Sequence, residues 1–288
     1  MSEQQTRLAV RKTYKLYIGG AFPRSESGRS YPVTSPSGVA LAHAAQASRK
    51  DVRDAVRAAR AAVTGWAAAT GYNRGQILYR VAELLEGRRD QFAAEVRATE
   101  TCSASTAYAQ VDEAIDRWVH YAGWADKYSQ VAGSTNPVSG PFFNFSTPEP
   151  TGVVGIIAPE RPSLLGIVGA IGPVITTGNT AVVIASEDHP LSAVSLGEVL
   201  ATSDLPGGVV NILTGHTAEL APWLASHRDV NALDLTGLAE EDRTPLRIAA
   251  AENVKRVYAS PPGSDDVHAL SRLLAFVETK TVWHPIGN

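Results

Sequence analysis

The stretch from Thr151 to Ser260 decides the fold, and it opens with Gly-Val-Val-Gly-Ile-Ile-Ala at residues 152–158. A short, continuous apolar run of this kind is typical of a strand that is buried on both faces of a sheet. Similar apolar runs follow and alternate with segments of helical spacing. The predicted strands are 152–158, 180–184, 209–213, 230–236 and 254–258, and the predicted helices are 163–177, 190–203, 218–227 and 240–253.

Strands that alternate with helices of this length predict a parallel, doubly wound α/β sheet. Such sheets place ligands at the carboxyl ends of their strands. In this chain those ends carry Ala158-Pro159, Thr214-Gly215 and Thr236-Gly237. The pattern therefore predicts a crevice of nucleotide size, although it does not by itself show that anything binds there.

The flanking segments predict a helical region before the sheet and a short β region on either side of it. Gly133–Pro150 contains alternating Phe143 and Phe145 and indicates an exposed strand pair, whereas Ser260–Asp266 has the composition of a turn-rich linker. The remaining predicted elements are a hairpin at 14–22, helices at 48–66, 73–86, 90–100, 104–128 and 267–278, and a last strand at 281–284.

Composition limits the classes of function. The 288 residues carry a net charge of −3 and 44% hydrophobic residues, so no basic surplus is present to recruit nucleic acid or an anionic membrane. Cys102 is the single cysteine, which excludes an intrachain disulfide and fits a reducing compartment. No signal-like or membrane-spanning run is visible, so we expect a cytoplasmic protein. His189, His216, His227 and His284 share no metal-ligand spacing, and no metal site is predicted.

Ordered motifs along the chain resemble the aldehyde dehydrogenase superfamily. They include Tyr17-Ile18-Gly19-Gly20, the run from Glu149 to Pro159, the run from Leu205 to Gly215, and the tail from Val277 to Pro285. The resemblance implies a Rossmann-like five-stranded parallel sheet with N-terminal helices and a small β oligomerisation element. The implied parts are a hairpin and helical part (1–130), oligomerisation strands (131–150), the parallel-sheet part (151–262), and a linker, helix and oligomerisation strand (263–288).

The resemblance also implies a vestigial NAD(P) cleft. Seven positions match residues that line the cofactor cleft of the family, and the alternative interpretation is that glycines and prolines there only terminate strands. Because the family's ribose-gripping Lys-Pro-x-Glu motif is reduced to Ala185-Ser186-Glu187, we expect no required cofactor and weak binding of NAD or NADP at most. The seven positions are Ile156, Ala158, Pro159, Glu187, Gly215, Thr236 and Gly237.

The sequence departs from the family at the positions of its catalytic motifs, so we expect the family's reaction to be lost. The oxyanion-binding Asn that follows the first strand is replaced by Glu160-Arg161, which we interpret as a relaxed site with a salt bridge or solvent contact rather than a new active-site pair. The general-base Glu position falls in Ser260–Gly263, which has no carboxylate. Cys102 matches no nucleophile motif, and only a linker and one helix stand where the family has its catalytic domain. No catalytic residue is therefore assigned, and we expect a non-enzyme.

The retained β segments suggest a function. In the family, the strands that match Gly133–Pro150 and Thr281–His284 build an intersubunit sheet, and exposed edges invite pairing with another chain. We therefore expect an inactive protein that oligomerises with a full-length aldehyde dehydrogenase and stabilises or regulates it, or else forms a homo-oligomer. The alternatives are a stand-alone NAD(P)-binding module, residual NAD(P)-dependent aldehyde oxidoreductase activity, and a decayed product without a role.

Overall fold

The computed structural model describes residues 10–260 and 270–287, so the N-terminal nine residues and most of the expected linker lie outside the described part. Ten helices and eleven strands occur in that part. In chain order they are β1 (Thr13–Tyr14), β2 (Ser30–Thr34), β3 (Ala40–Ala45), α1 (Arg49–Ala68), α2 (Gly71–Glu86), α3 (Arg89–Glu100), α4 (Ala104–Trp124), α5 (Tyr128–Ala132), β4 (Ser134–Asn136), β5 (Phe142–Pro150), β6 (Val153–Ile157), α6 (Ser163–Thr176), β7 (Thr180–Ile184), α7 (Leu191–Leu200), β8 (Val210–Leu213), α8 (Thr217–Ser226), β9 (Ala232–Asp234), α9 (Glu240–Ala251), β10 (Arg256–Tyr258), α10 (Leu270–Leu274) and β11 (Val277–Pro285).

The predicted parallel sheet is confirmed. Its five strands lie in the order β10-β9-β6-β7-β8, and every neighbouring pair is parallel. The first strand, β6, lies in the middle, so the chain builds outward first to β8 and then to β10. This change of direction places a topological switch point beside β6, which is where such sheets form their crevice.

Alternating residues of β6 face two separate halves of the core. Val153 and Ile157 pack with Val52 and Val56 of α1 and with residues of α8, whereas Val154 and Ile156 belong to the larger cluster on the opposite face. That larger cluster also contains residues of α2, α3, α4, α6 and α7. Because both faces are covered, the strands read as continuous apolar runs rather than as alternating ones.

Local signals position the N-terminal helices. Ser48 and Asp51 form a capping box at the start of α1, with the Asp51 carboxylate accepting the Ser48 N–H at 2.8 Å. The predicted long helix at 104–128 is wrong in its last turn, because α4 ends at Trp124. There the Lys127 ammonium donates to the carbonyl of Gly123 at 2.7 Å, and a separate short helix, α5, begins at Tyr128.

A second sheet, β11-β5-β4, stands apart from the parallel sheet. β5 is its central strand, and β11 pairs with it antiparallel over nine consecutive residue pairs, from Val277↔Pro150 to Pro285↔Phe142. The predicted helix at 267–278 is therefore wrong at its end, since α10 stops at Leu274 and Val277 already belongs to the strand. The long edge of β5 overrides the local helical pattern, as tertiary context commonly does.

The N-terminal hairpin also differs from the one that the sequence predicts. The alternation at residues 14–18 predicts one strand, but β1 ends at Tyr14 and pairs with β3 in a third sheet, β1-β3-β2. Tyr17 instead bridges to Ile212 of β8, and Ile18 bridges to Ala21 across the Gly19-Gly20 turn. No helix among the described residues is long and apolar enough to span a membrane.

Candidate functional site

The carboxyl ends of the parallel strands form the candidate site, and Glu187 lies just beyond β7 at this edge. One oxygen of its carboxylate lies 2.6 Å from Nδ1 of His216, and the other accepts the backbone N–H of Thr217 at 2.9 Å. Thr217 is the first residue of α8, so Glu187 supplies negative charge at the positive end of that helix. The carboxylate that remains of the family's ribose-gripping motif is thus bound within the chain.

Glu160 occupies the next position along the edge, after β6. Its carboxylate accepts hydrogen bonds from the Ser186 hydroxyl at 2.6 Å and from the backbone N–H groups of Glu187 and Asp188 at 3.0 and 3.3 Å. These bonds tie the end of β6 to the turn that follows β7. The half-buried N–H of Glu187 needs such a partner, so Glu160 serves the turn.

Of the two expected arrangements at this site, a salt bridge or a solvent contact, Arg161 does not form the salt bridge with Glu160 and is exposed. Its Nε donates at 2.8 Å to Nε2 of His189, a side chain that is only 5% exposed. Burial, together with the nearby Arg161 charge, lowers the pKa of His189. A neutral imidazole is consistent with the geometry, because Nε2 must accept a hydrogen bond from a cation.

The backbone N–H groups at the N-terminus of α6 are bound by side chains of α3 and α4, outside the parallel sheet. Glu100, at the end of α3, accepts both the backbone N–H of Ser163 at 2.7 Å and its hydroxyl at 2.6 Å. The amide oxygen of Gln110 accepts the N–H of Leu164 at 3.1 Å. The first N–H groups of this helix, which in other proteins are a ready anion site, are therefore used.

The start of α9 carries Glu240, Glu241 and Asp242 in its first turn. These acids suit the helix dipole and repel an incoming phosphate. Nearby, Gly237 is required by packing: a Cβ there would lie 2.3 Å from the carbonyl oxygen of Ala158. Gly215 has φ of +145°, a conformation that favours glycine. Packing and backbone conformation thus account for the presence of glycine at both positions without a bound nucleotide.

The seven expected cleft residues lie at or near the carboxyl ends of the parallel strands. The N–H of Gly237 donates to the carbonyl of Ile157 at 3.1 Å, joining the ends of β9 and β6, and the N–H of Ala158 donates to Ile184. Ile156 is fully buried in the core, and Ala158 and Gly215 are buried as well, whereas Pro159, Glu187, Thr236 and Gly237 are half-buried. A cavity of about 360 Å³ opens beside Glu187 and is lined by Tyr31, Arg161, Asp188, His189 and His216, among others.

Comparison with known proteins shows the family of the chain. The aldehyde dehydrogenase family model matches residues 22–271. The chain belongs to the aldehyde dehydrogenase family. It is 33% identical over 261 residues to cytosolic aldehyde dehydrogenase 1 of Elephantulus edwardii, covering 88% of this chain and 50% of that protein. It is 35% identical over 251 residues to the mitochondrial family 2 member B4 of Arabidopsis thaliana, covering 84% and 45%.

Solved structures agree with this aldehyde dehydrogenase fold. HpcC from Thermus thermophilus superposes with a TM-score of 0.82 at 31% identity, covering 86% of this chain and 48% of that one. An NAD+ complex of aldehyde dehydrogenase from Bacillus cereus gives a TM-score of 0.82 at 28% identity, covering 85% and 50%. The chain thus spans about half the length of the relatives it matches.

One ion pair of this aldehyde dehydrogenase-family chain was missed by sequence reasoning. Asp234, at the end of β9, is completely buried and accepts a 2.7 Å hydrogen bond from Nη2 of Arg272 in α10. The guanidinium also stacks over the Tyr258 ring, with its central carbon 4.5 Å from the centroid. A carboxylate inside an otherwise apolar strand was the available signal, but its partner lies beyond the next strand and could not be identified from spacing.

The remaining candidate groups stay apart from this edge. Cys102 follows α3 and packs, partly buried, against the larger core cluster. No group of three or more histidines, cysteines or acids with metal-binding geometry occurs in residues 10–260 and 270–287. His216 and His189 are both locally bonded, and His189 is buried.

Proposed function

We propose that this chain is a non-catalytic member of the aldehyde dehydrogenase family that does not bind NAD(P) tightly. The proposal rests on one observation: carboxylates of the chain itself accept hydrogen bonds from the donors that line the crevice. Glu100, Glu160 and Glu187 each accept the N–H or hydroxyl donors that a dinucleotide would need at the strand ends. A pyrophosphate entering this edge would have to displace three carboxylates against charge repulsion. The residues present do not fit the cofactor.

The crevice also lacks the general base and the nucleophile that the family resemblance implies. The position of the expected general base is Ser260, whose N–H donates to the Thr236 hydroxyl at 3.1 Å. A hydroxyl of this kind cannot act as the base that a carboxylate would provide. The only thiol of the sequence, Cys102, follows α3 rather than any strand of the parallel sheet.

Calorimetric titration with NAD+ and NADP+ tests the first part of the proposal. We expect no saturable heat up to millimolar nucleotide, and no NADH formation when the chain is mixed with NAD+ and a panel of short, long and aromatic aldehydes. A full-length family member with activity serves as the positive control in both assays. Saturable binding at micromolar nucleotide would replace this proposal with an NAD(P)-binding module, and NADH formation would restore an enzyme.

The positive part of the proposal is assembly with a full-length aldehyde dehydrogenase, which the chain stabilises or regulates. Its support is the outlying sheet β11-β5-β4, whose exposed face carries an apolar stripe. Phe143 and Phe145 contact each other with ring centroids 5.5 Å apart, and Val282 of β11 lies opposite Phe145. Phe143 is 47% exposed. Contiguous exposed apolar surface of this kind typically marks a protein interface.

Native mass measurement tests this assembly. The chain is purified alone and after co-expression with full-length aldehyde dehydrogenases of the same genome. We expect a mixed oligomer of defined stoichiometry, which Phe143→Ser weakens at least tenfold. A surface replacement away from the sheet, Glu83→Ser, provides the matched control. The absence of any mixed species with every family member would refute the assembly and leave the proposed lack of catalysis intact.

A further inference from the structure

The connection between α9 and β10 reverses the usual burial of its side chains. Val254 is 90% exposed, whereas the next residue, Lys255, is only 7% exposed. Val254 has φ of +56°, a left-handed conformation that a β-branched residue rarely adopts, and the N–H of Lys255 donates to the carbonyl of Ala250 at 3.0 Å. This helix ending turns the valine outward and the lysine inward. Lysine is almost never buried unless it is paired.

The ammonium group of Lys255 has no carboxylate to pair with. Its one hydrogen-bond partner in residues 10–260 and 270–287 is the side-chain oxygen of Asn253, which is a neutral acceptor. An ammonium group carries three N–H donors, so two of them are left over. Burial lowers the pKa of Lys255 below its ordinary value of 10.5, because the charged form is held out of water without a counter-ion. A bound anion would supply that counter-ion.

Asn231, just before β9, has a side-chain amide whose orientation is fixed by the fold. Its Oδ1 accepts the backbone N–H of Val153 at 3.0 Å and Nη2 of Arg60 at 2.5 Å. Gly152 makes room for this oxygen, since a Cβ there would lie 2.4 Å from it. Because Oδ1 faces two donors, the amide nitrogen must turn the other way. Its two N–H groups find no acceptor in the part of the chain that the structure describes.

The unused donors line one cavity of about 650 Å³ at the amino ends of the parallel strands. This cavity lies on the opposite edge of the sheet from the crevice described above. Glu278 is the one carboxylate among its described lining residues, and it accepts hydrogen bonds from Arg256 at 2.9 Å and from the Thr151 hydroxyl at 3.4 Å. Arg256 therefore neutralises Glu278, whereas the charge of Lys255 has no counterpart.

We propose that this cavity binds a phosphate group through the Lys255 ammonium, the Asn231 amide N–H groups and the Arg256 guanidinium. Two cations, Lys255 and Arg256, and one carboxylate, Glu278, give the lining a net charge of +1. Hydrogen bonds from charged donors to phosphate oxygens are among the strongest in proteins. The inference goes beyond the proposed function, because it concerns the other edge of the sheet and uses no residue of the crevice.

The donor set favours a phosphate over other small ligands. A metal cation would be repelled by Lys255. A carboxylate offers two oxygens and would leave one of the three donor groups unused, whereas the three terminal oxygens of a phosphate can serve all three. A cavity of this volume also has room for the organic part of a phosphomonoester.

Titration with inorganic phosphate at constant ionic strength tests the site, with glycerol 3-phosphate as a phosphomonoester and acetate as a carboxylate. We expect one phosphate per chain with a Kd of about 1 mM or below, and binding of acetate that is weaker by about tenfold or more. Tighter binding of glycerol 3-phosphate than of inorganic phosphate would assign the site to a phosphomonoester, and the reverse order would assign it to the free ion. Absence of saturable binding for both phosphates would overturn the proposal.

Two cavity variants locate the bound ion. Lys255→Met replaces the cation with an apolar side chain of similar length, and Asn231→Asp keeps an acceptor for Val153 and Arg60 but exchanges the amide donor for an oxygen. Each should weaken phosphate binding by about tenfold or more. Lys15→Met, at an exposed lysine after β1, is the matched control and should leave the affinity unchanged. Binding that Lys255→Met does not alter would place the phosphate elsewhere and overturn the assignment.

The ionisation of Lys255 gives a readout that a purely structural lysine would not change. In a chain labelled with 13C-lysine, the Cε resonance that is missing from Lys255→Met reports the pKa of this residue. Saturating phosphate should raise that pKa, because a nearby anion favours the charged ammonium. A pKa that phosphate leaves unchanged would contradict the contact.

The phosphate site and the proposed function fail separately. NADP+ carries a phosphomonoester, so its titration is compared between the wild type and Lys255→Met. Heat that disappears in Lys255→Met belongs to this cavity and supports the phosphate site. Heat that persists in the variant belongs to the crevice and counts against the proposed function alone.

Discussion

At the scale of single residues, the same side chain can serve a ligand or the fold, and its hydrogen-bond partners decide which. Sequence matching placed Glu187 in a cofactor cleft, and the structure places its carboxylate between His216 and the first N–H of α8. Glu187 follows β7, at the carboxyl edge of the parallel sheet. Its partners depend on how α8 begins, which no local pattern around Glu187 could reveal.

Replacement of this cap should destabilise the chain. Glu187→Ala removes the acceptor for the Thr217 N–H and should lower the free energy of unfolding by about 1 kcal/mol, the usual value for a lost N-terminal cap. Urea unfolding followed by circular dichroism provides the measurement. The exposed Glu83→Ala is the control, with an expected change below about 0.5 kcal/mol. Equal effects of the two replacements would contradict the capping role.

The buried pair of Asp234 and Arg272 should respond asymmetrically to mutation. Arg272→Met leaves a fully buried carboxylate without its cation, which should cost about 3–5 kcal/mol. Combining it with Asp234→Ala should recover most of this loss, because neither charge is then left alone. Arg256→Met, which breaks the exposed pair with Glu278, should cost less than about 1 kcal/mol. A double variant as unstable as Arg272→Met would contradict the explanation.

His189 should make stability depend on pH. Burial and the Arg161 charge lower its pKa in the folded chain below the ordinary value of 6.5. Between these two values the unfolded chain binds more protons, so the contribution of His189 is fully present above about pH 6.5 and is lost as the pH falls. His189→Gln should therefore flatten the fall in unfolding free energy between about pH 7 and 5.5. Burial lowers the pKa of His227 in the same direction, so part of the slope should persist.

At the scale of elements, the parallel sheet followed from the sequence, whereas the C-terminal segment did not. Buried strands are apolar over their whole length, so β6 and β7 were predicted nearly to their boundaries. The residues after α10 have an ambiguous period, and their strand forms because β5 offers nine partners. Between α10 and β11, Phe276 anchors the segment: it is fully buried, and its carbonyl accepts the side-chain amide of Asn179 at 2.9 Å.

Loss of this anchor should release the segment. Phe276→Ala should lower the free energy of unfolding by about 3–5 kcal/mol, since it empties a fully buried aromatic site. Ile286→Ala, at a side chain that is 51% exposed, should change it by less than about 0.5 kcal/mol. Hydrogen exchange of the β11 amides should accelerate in the first variant only. Unchanged exchange there would show that β11 is held by β5 alone.

At the scale of the whole molecule, the N-terminal helices and the parallel sheet share one core. Trp66 of α1 donates its indole N–H to the carbonyl of Ile175 in α6 at 2.8 Å, and Trp118 of α4 is fully buried in the same cluster. The sequence divided the chain at residues 130, 150 and 262. The shared core joins the first and third of these parts across the division.

A shared core predicts cooperative unfolding. The far-ultraviolet circular dichroism, which reports mainly on helices, and the tryptophan fluorescence, to which the buried Trp66 and Trp118 contribute, should change with the same urea midpoint. Coincidence within the error of the measurement is expected because no helix of α1–α4 can separate without exposing the large cluster. Two resolved transitions would show that the N-terminal helices form a unit of their own.

The sequence by itself determined the α/β class, the five parallel strands and the family. These properties follow from local periodicity and from residue identity, which a linear chain records directly. The tertiary structure decided which partners the carboxylates near the strand ends have. Glu160 ties a turn, Glu187 caps a helix, and Asp234 meets Arg272, because each contact joins residues at least 26 apart in sequence, and only the folded chain brings them together.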